Sequence, residues 1–167
     1  SPIKKEADFR YVIFNADGSE VSQCGNGARC FALYIRKKNL TNKNPISVET
    51  STGIMVLKIN RDDSVRVEMG EPKFNSFDIP LDIKKLSTEY SLEELSLGVL
   101  SIGNPHAVLV DDDFDSPNIE TIASKLQNSS YFPEGVNVGF MQILNRGEIK
   151  LRVIERGVGE TLSCGSG

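Results

Sequence analysis

Short apolar runs alternate with clusters of turn-forming residues along most of this chain. Runs rich in β-branched and aromatic residues predict strands at residues 9–14, 46–50, 54–60, 65–69, 97–102, 107–110, 136–144 and 148–155. Helical spacing marks residues 28–38 and a second helix that opens at 116–117, with Ile119, Ile122, Ala123 and Leu126 at i, i+3, i+4 and i+7. Because strands outnumber helices and do not alternate strictly with them, the pattern predicts an α+β layered fold.

A loosely patterned stretch separates two halves of this pattern. Residues 71–94 contain Pro72, Pro80 and mixed charges, and we interpret them as a connection. The predicted domains are therefore residues 1–70, which carry Cys24, and residues 71–167, which carry Cys164.

Composition narrows the class of protein. The chain has 167 residues with a net charge of −4, and 39% of its residues are hydrophobic, which is typical of a globular protein. Its apolar runs are far shorter than the ~20 residues of a membrane span, and no secretory signal precedes the first strand. The basic run Arg36-Lys37-Lys38 suits the end of a helix better than a nucleic-acid surface. We expect a cytoplasmic protein without nucleic-acid or membrane partners.

The three cysteines, Cys24, Cys30 and Cys164, are an odd number in a chain without an export signal, which favours reduced thiols. One histidine and a Cys-x5-Cys spacing make a zinc site a poor interpretation, so no metal is expected. Cys30 lies among the apolar residues of the first predicted helix, and we expect it to be a buried structural residue.

An internal repeat is the most informative feature. Residues 9–27 align without gaps on residues 149–167, and the identities cluster around a Glu-x-x-x-Cys-Gly-x-Gly sequence. The identical pairs are Glu20 and Glu160, Cys24 and Cys164, Gly25 and Gly165, and Gly27 and Gly167.

The repeated motif suggests a specific chemistry. A Gly-x-Gly turn allows backbone amides to approach a ligand, and a helix that follows favours an anion or a thiolate at its start. Two such cysteines related by an approximate two-fold axis could face one carbon atom from opposite sides, one as base and the other as acid. That arrangement inverts a stereocentre, and no pyridoxal or other cofactor is implied.

Several motifs resemble, in order, those of the diaminopimelate epimerase family. They are Phe14-Asn15-Ala16-Asp17-Gly18-Ser19-Glu20, Gln23-Cys24-Gly25-Asn26-Gly27-Ala28-Arg29-Cys30, Gly103-Asn104-Pro105-His106, Phe132-Pro133-Glu134, Val136-Asn137-Val138, Glu155-Arg156-Gly157, Gly159-Glu160-Thr161 and Cys164-Gly165-Ser166-Gly167.

The resemblance implies two similar α/β halves with the active site in the cleft between them. It also implies cofactor-independent interconversion of LL- and meso-diaminopimelate, on the route to lysine and peptidoglycan precursors. The roles that follow from it are these: Cys24 and Cys164 as the acid/base pair, His106 and Glu155 setting their protonation, Gly25, Asn26, Gly165 and Ser166 at the α-carboxylate, and Asn15, Asn104, Asn137, Glu155 and Arg156 at the other polar groups of the substrate.

Individually, the supporting residues have ordinary interpretations. His106 follows a turn, Glu155-Arg156 could be a solvated ion pair, and the asparagines could stabilise turns. The alternatives are a related proline or hydroxyproline racemase, a thiol redox protein, and an inactive fragment of the epimerase. The family's opening strand and the helix after its second motif have no counterpart here, so we expect an incomplete two-domain enzyme. Exposed sheet edges are compatible with a homodimer.

Overall fold

A computed structural model describes residues 2–14, 18, 20–21, 24–83, 85, 87, 89–92, 94–111 and 117–167. These residues form two compact units. The first runs to Glu71 and includes Ser166, and the second runs from Pro72 to Gly165 and includes Gly167.

The first unit is a four-stranded sheet with one helix and a separate strand pair. In chain order its elements are β1 (Phe9–Arg10), β2 (Ile13–Phe14), β3 (Glu20–Val21), α1 (Gly25–Lys37), β4 (Ile46–Thr50), β5 (Gly53–Ile59) and β6 (Val65–Glu68). The sheet order is β1-β4-β5-β6, with β1 parallel to β4 and the other neighbours antiparallel. The strands β2 and β3 form a separate antiparallel pair.

Small and branched side chains fix α1 on the sheet. Ala28, Ala32 and Ile35 are fully buried, at the i, i+4, i+7 spacing of one helix face. They join a core that includes Val48 and Leu57 from the adjacent strands. Basic residues in the last turn of α1 confirm the predicted end of this helix.

The prediction that Cys30 is a buried residue was wrong. Cys30 is exposed, and so are the apolar residues Leu33 and Tyr34 of the same helix. Apolar residues surround most of this helix, so its sequence leaves the buried face ambiguous. The small residues Ala28 and Ala32 allow the closest approach to the sheet, and they turn Cys30 towards solvent.

The second unit contains a six-stranded sheet and one helix. Its elements are β7 (Tyr90–Leu92), β8 (Leu95–Ser101), β9 (Pro105–Val110), α2 (Ile119–Gln127), β10 (Asn137–Asn145), β11 (Glu148–Glu155) and β12 (Gly159–Thr161). The strand order is β12-β11-β10-β9-β8-β7, and β9 and β10 are parallel while all other neighbours are antiparallel. Ile119, Ala123 and Leu126 of α2 are buried, which confirms the predicted helical face.

The stretch 71–94 is more than a connection, contrary to the sequence interpretation. It contains a 3₁₀ turn at Ser76–Asp78 and strand β7, and its apolar residues belong to the core of the second unit. Those buried residues are Ile79, Leu81, Tyr90 and Leu92. The prolines and charged residues of this stretch are typical of a loop, and they outweigh the apolar residues between them in the sequence pattern. The α+β class is confirmed in both units.

Candidate active site

The two copies of the sequence repeat form the same local structure. Each is a short antiparallel strand pair, β2 with β3 and β11 with β12, and the cysteine follows three residues after the end of the second strand. The register agrees at the same spacing of 140 residues. The pairs are Ile13 with Val21 and Phe14 with Glu20 in the first copy, and Val153 with Thr161 and Ile154 with Glu160 in the second.

Cys24 is the N-cap residue of α1. Its backbone is extended, with φ −148° and ψ 106°, and its Sγ accepts a hydrogen bond from the amide of Gly27 at 3.4 Å. The Cys24 carbonyl accepts the first helical hydrogen bond, from the amide of Ala28, at 3.0 Å. The Cys-Gly-Asn-Gly segment is thus the cap and first turn of the helix rather than a turn that precedes it. A group at this position lies where the helix favours negative charge.

Tyr11 closes the other side of this first turn. Its ring stacks on Phe31 with centroids 5.1 Å apart, and its hydroxyl lies 3.5 Å from the carbonyl oxygen of Cys24. A Cβ atom added to Gly27 would overlap that hydroxyl and lie 3.5 Å from Sγ of Cys24. Gly27 is therefore required by the close approach of Tyr11. The pKa of the Tyr11 hydroxyl is raised to about 12, mainly by burial and further by the charges of Cys24 and Cys30.

Cys164 has a similar relation to the last glycine of its own motif. A Cβ atom added to Gly167 would lie 3.6 Å from Sγ of Cys164 and 2.8 Å from Cγ2 of Val153. Both sulfurs are half-buried. In the second unit, therefore, the segment that carries Cys164 folds over the side chain of Val153 on β11.

His106 and Asn137 lie side by side at the starts of β9 and β10. They are register partners in the parallel pair, and Nδ2 of Asn137 is 3.5 Å from Nε2 of His106. Both are buried, and burial lowers the pKa of His106 to about 4. The imidazole is consequently uncharged at neutral pH.

Asn137 also fixes the end of β11. Its Oδ1 accepts the backbone amide of Arg156 at 2.9 Å, and the Arg156 guanidinium donates to the carbonyl of Glu134. The neighbouring carboxylate of Glu155 is half-buried and accepts a 2.6 Å hydrogen bond from the hydroxyl of Thr161.

Sheet topology explains why these groups meet. β9 and β10 are parallel, with His106 second in β9 and Asn137 first in β10, and β11, antiparallel to β10, ends at Glu155. The starts of the first two strands and the end of the third therefore lie at one edge of the sheet. Asn104, half-buried in the β8–β9 turn, enters the same edge two residues before His106.

The remaining predicted residues have varied environments. Gly25 is buried in the first turn of α1, and Asn26, half-buried, accepts a 2.7 Å hydrogen bond from Arg29 through its Oδ1. Gly165 is exposed and Ser166 half-buried. Asn15 lies outside the described residues.

Sequence reasoning did not single out Tyr11 or Thr161. The glycines at 157 and 159 mark a tight return of the chain after Glu155, and this signal could have suggested a contact with Thr161. Tyr11 carries no comparable signal.

Among the residues that the structure describes, no group of three or more His, Cys, Asp or Glu side chains could hold a metal ion. Neither α1 nor α2 has the length and apolar character of a membrane span.

Comparisons with known proteins agree with the sequence motifs. The model of the family described as diaminopimelate epimerase matches residues 2–75 and 98–167. A diaminopimelate epimerase of Vesicomyosocius okutanii subsp. Calyptogena okutanii (strain HA) is 55% identical over 160 residues, which is 96% of this chain and 59% of that protein. The chain thus spans about three-fifths of the length of this relative.

Two solved structures share the fold at low sequence identity. A probable proline racemase from Agrobacterium radiobacter K84, with bound carbonate, has a TM-score of 0.68 and 15% identity, over 96% of this chain and 53% of that one. A hydroxyproline epimerase from Agrobacterium vitis, with bound trans-4-OH-L-proline, has a TM-score of 0.70 and 13% identity, over 99% of this chain and 54% of that one.

Proposed function

The chain belongs to the diaminopimelate epimerase family, and we propose that the protein which contains it is an isomerase that interconverts LL- and meso-diaminopimelate without a cofactor. We assign the acid/base pair to Cys24 and Cys164, one from each half of the chain, with residues 1–70 and 71–167 as the two domains. We further propose a cytoplasmic enzyme of lysine biosynthesis.

The observation that carries the proposal is the structural equivalence of the two cysteines. Each follows a strand pair of identical register, and each sulfur lies against the glycine three residues later. Two groups of the same kind suit inversion of one carbon, because each acts as base in one direction and as acid in the other.

In the proposed reaction one cysteine is a thiolate and the other a thiol. The thiolate takes the α-proton, so the C–H bond breaks, an S–H bond forms, and the electron pair is delocalised into the α-carboxylate. The second thiol then delivers its proton to the opposite face of the carbon. The carbon is inverted, the two sulfurs exchange protonation states, and nothing is oxidised or reduced.

The first turn of α1 supports a role at the α-carboxylate. The helix begins at Gly25, so its first amides and the positive end of the helix dipole lie next to Cys24. Such groups stabilise the charge that develops on a carboxylate when the α-proton leaves. We assign Gly25 and Asn26, with Gly165 and Ser166 of the second copy, to this task.

The sheet edge of the second unit supplies the remaining polar groups. We assign Asn104, Asn137, Glu155 and Arg156, together with Asn15, to the amino groups and the distal carboxylate. We also assign His106 and Glu155 to positions beside the two sulfurs, where they set the protonation of the cysteines. His106, neutral and buried beside Asn137, would act there as a hydrogen-bonding neighbour rather than as a cation.

The test is proton exchange in deuterium oxide. The protein is incubated with LL-diaminopimelate, and NMR follows loss of the α-proton signal and appearance of the meso isomer, with no added cofactor. L-Proline and trans-4-hydroxy-L-proline serve as competing substrates. Exchange of either of these without exchange of diaminopimelate would replace the proposal by a racemase of the proline type, and a folded protein that exchanges none of them would refute it.

A further inference from the structure

The side chain of Thr161 is directed at the carboxylate of Glu155 across the β11–β12 pair. The distance between Oγ1 of Thr161 and Oε1 of Glu155 is 2.6 Å, at the short end of the range for O–H···O hydrogen bonds. Both side chains are half-buried, so water competes only partly for this carboxylate oxygen. A hydroxyl that donates to a carboxylate forms one of the stronger hydrogen bonds in proteins.

The register explains the contact. Glu155 pairs with Gly159, and Val153 pairs with Thr161, so Thr161 is the diagonal neighbour of Glu155 on the same face of the strand pair. Gly159 presents no side chain opposite Glu155, which leaves the diagonal position to Thr161. The amide of Val158 donates to the carbonyl of Glu155 at 3.3 Å and holds the turn that brings β12 back.

This face also carries the segment of Cys164. Val153, the register partner of Thr161, lies on this face, and a Cβ atom added to Gly167 would touch both Val153 and Cys164. Thr161 ends β12, three residues before Cys164, and its hydrogen bond links this strand to the carboxylate at the end of β11.

We propose that Thr161 is a positioning residue, which fixes one oxygen of the Glu155 carboxylate so that the other is presented to the reacting groups. This inference rests on the proposed function, in which Glu155 acts beside the cysteines. Threonine suits the task because its branched side chain has few rotamers in a strand, so little freedom is lost when the hydrogen bond forms.

The experiment compares Thr161→Val, which keeps the shape and removes the donor, with Thr161→Ser, which keeps the donor. Thr121→Val, on the exposed face of α2, is the control. We expect kcat for diaminopimelate epimerisation to fall about tenfold in Thr161→Val with little change in KM, as for the loss of one hydrogen bond to a charged group. We expect Thr161→Ser to recover most of this loss and Thr121→Val to match the wild type. A Thr161→Val enzyme with wild-type kcat, or a Thr161→Ser enzyme no better than Thr161→Val, would overturn the inference.

A second readout does not depend on activity. The ¹³C chemical shift of the Glu155 side-chain carboxyl at pH 7 responds to a hydrogen-bond donor, so it should move in Thr161→Val and return in Thr161→Ser. If the wild-type protein does not exchange the α-proton of diaminopimelate, the proposed function fails while this measurement still tests the contact. An unchanged carboxyl shift in Thr161→Val would refute the contact itself.

Discussion

The hydroxyl of Tyr11 donates a hydrogen bond to the carbonyl oxygen of Cys24 over 3.5 Å. This carbonyl is also the acceptor of the first helical hydrogen bond of α1. The pKa of Tyr11, raised to about 12 mainly by burial, keeps the hydroxyl protonated across the physiological range, so the donor is always present. Tyr11, in the short segment between β1 and β2, thereby holds the cap of the helix at which one proposed catalytic sulfur lies.

We expect Gly27→Ala to destabilise the protein by about 1–3 kcal/mol, because its methyl group would collide with the Tyr11 hydroxyl. In a Tyr11→Phe background the collision is relieved, since the next atom of the ring, Cζ, lies 3.5 Å from the added Cβ. There the substitution should be far less costly. Urea unfolding of the two single variants and the double variant measures this coupling. Equal costs of Gly27→Ala in both backgrounds would contradict the prediction.

We expect Cys24→Ala and Cys164→Ala each to reduce epimerisation by roughly 10²–10⁴-fold or more, because each removes one of the two proton-transfer groups. Cys30→Ala is the matched control. Cys30 is exposed on α1, the helix that Cys24 caps, and should be dispensable for epimerisation. Activity is measured as appearance of the meso isomer. Appreciable epimerisation by either of the first two variants would exclude the two-thiol mechanism.

His106 should make the stability of the protein depend on pH. Burial lowers its pKa from 6.5 to about 4, so between these values the unfolded chain binds more protons than the folded one. The stability associated with the neutral imidazole is fully present above pH 6.5 and is lost as the pH falls through 4, by about 3 kcal/mol in all. The urea midpoint should fall more steeply for the wild type than for His106→Gln when the pH is lowered from 7.5 to 4. Parallel curves would show that the buried imidazole does not titrate in this way.

Asn137 should be more important for stability than an ordinary asparagine. It is buried, and its Oδ1 accepts a hydrogen bond from the amide of Arg156. Asn137→Ala removes this acceptor and also the amide group that lies beside the imidazole of His106. We expect a loss of about 1–3 kcal/mol, against less than about 0.5 kcal/mol for Asn42→Ala at an exposed position. Thermal and urea unfolding measure both. A cost for Asn137→Ala as small as that of the control would contradict this account.

Parts of the fold followed from the sequence because local pattern and tertiary packing agree there. The spacing of Ile119, Ala123 and Leu126 predicts the buried face of α2, and the apolar runs at 136–144 and 148–155 predict strands β10 and β11. The prediction that Cys30 is buried was wrong because apolar residues extend around α1. Only the approach of Ala28 and Ala32 to the sheet selects the face that is buried. The core positions Ile79 and Leu81 were not predicted because Pro80, between them, is typical of a loop rather than of a strand.

The candidate site shows the same division. The residues of the motifs could be selected from the repeat and the family resemblance, and the matching registers of the two strand pairs agree with the repeat. The contact of Thr161 with Glu155 depends on which residues face each other across two strands, and the glycines at 157 and 159 indicate only the turn that precedes it. The contact of Tyr11 with Gly27 depends on how the segment after β1 passes a helix, and no spacing in the sequence indicates it.

The parallel pairing of β9 with β10 has a consequence for the order of folding. A parallel pair cannot be closed by a hairpin turn, so the chain from residue 111 to residue 136, including α2, must cross the sheet before His106 meets Asn137. The hairpin β10–β11, which needs only a short turn, can form early. We therefore expect the edge that carries His106, Asn137 and Glu155 to be assembled in a late, topology-limited step, so that substitutions confined to this edge speed unfolding and leave the refolding rate almost unchanged.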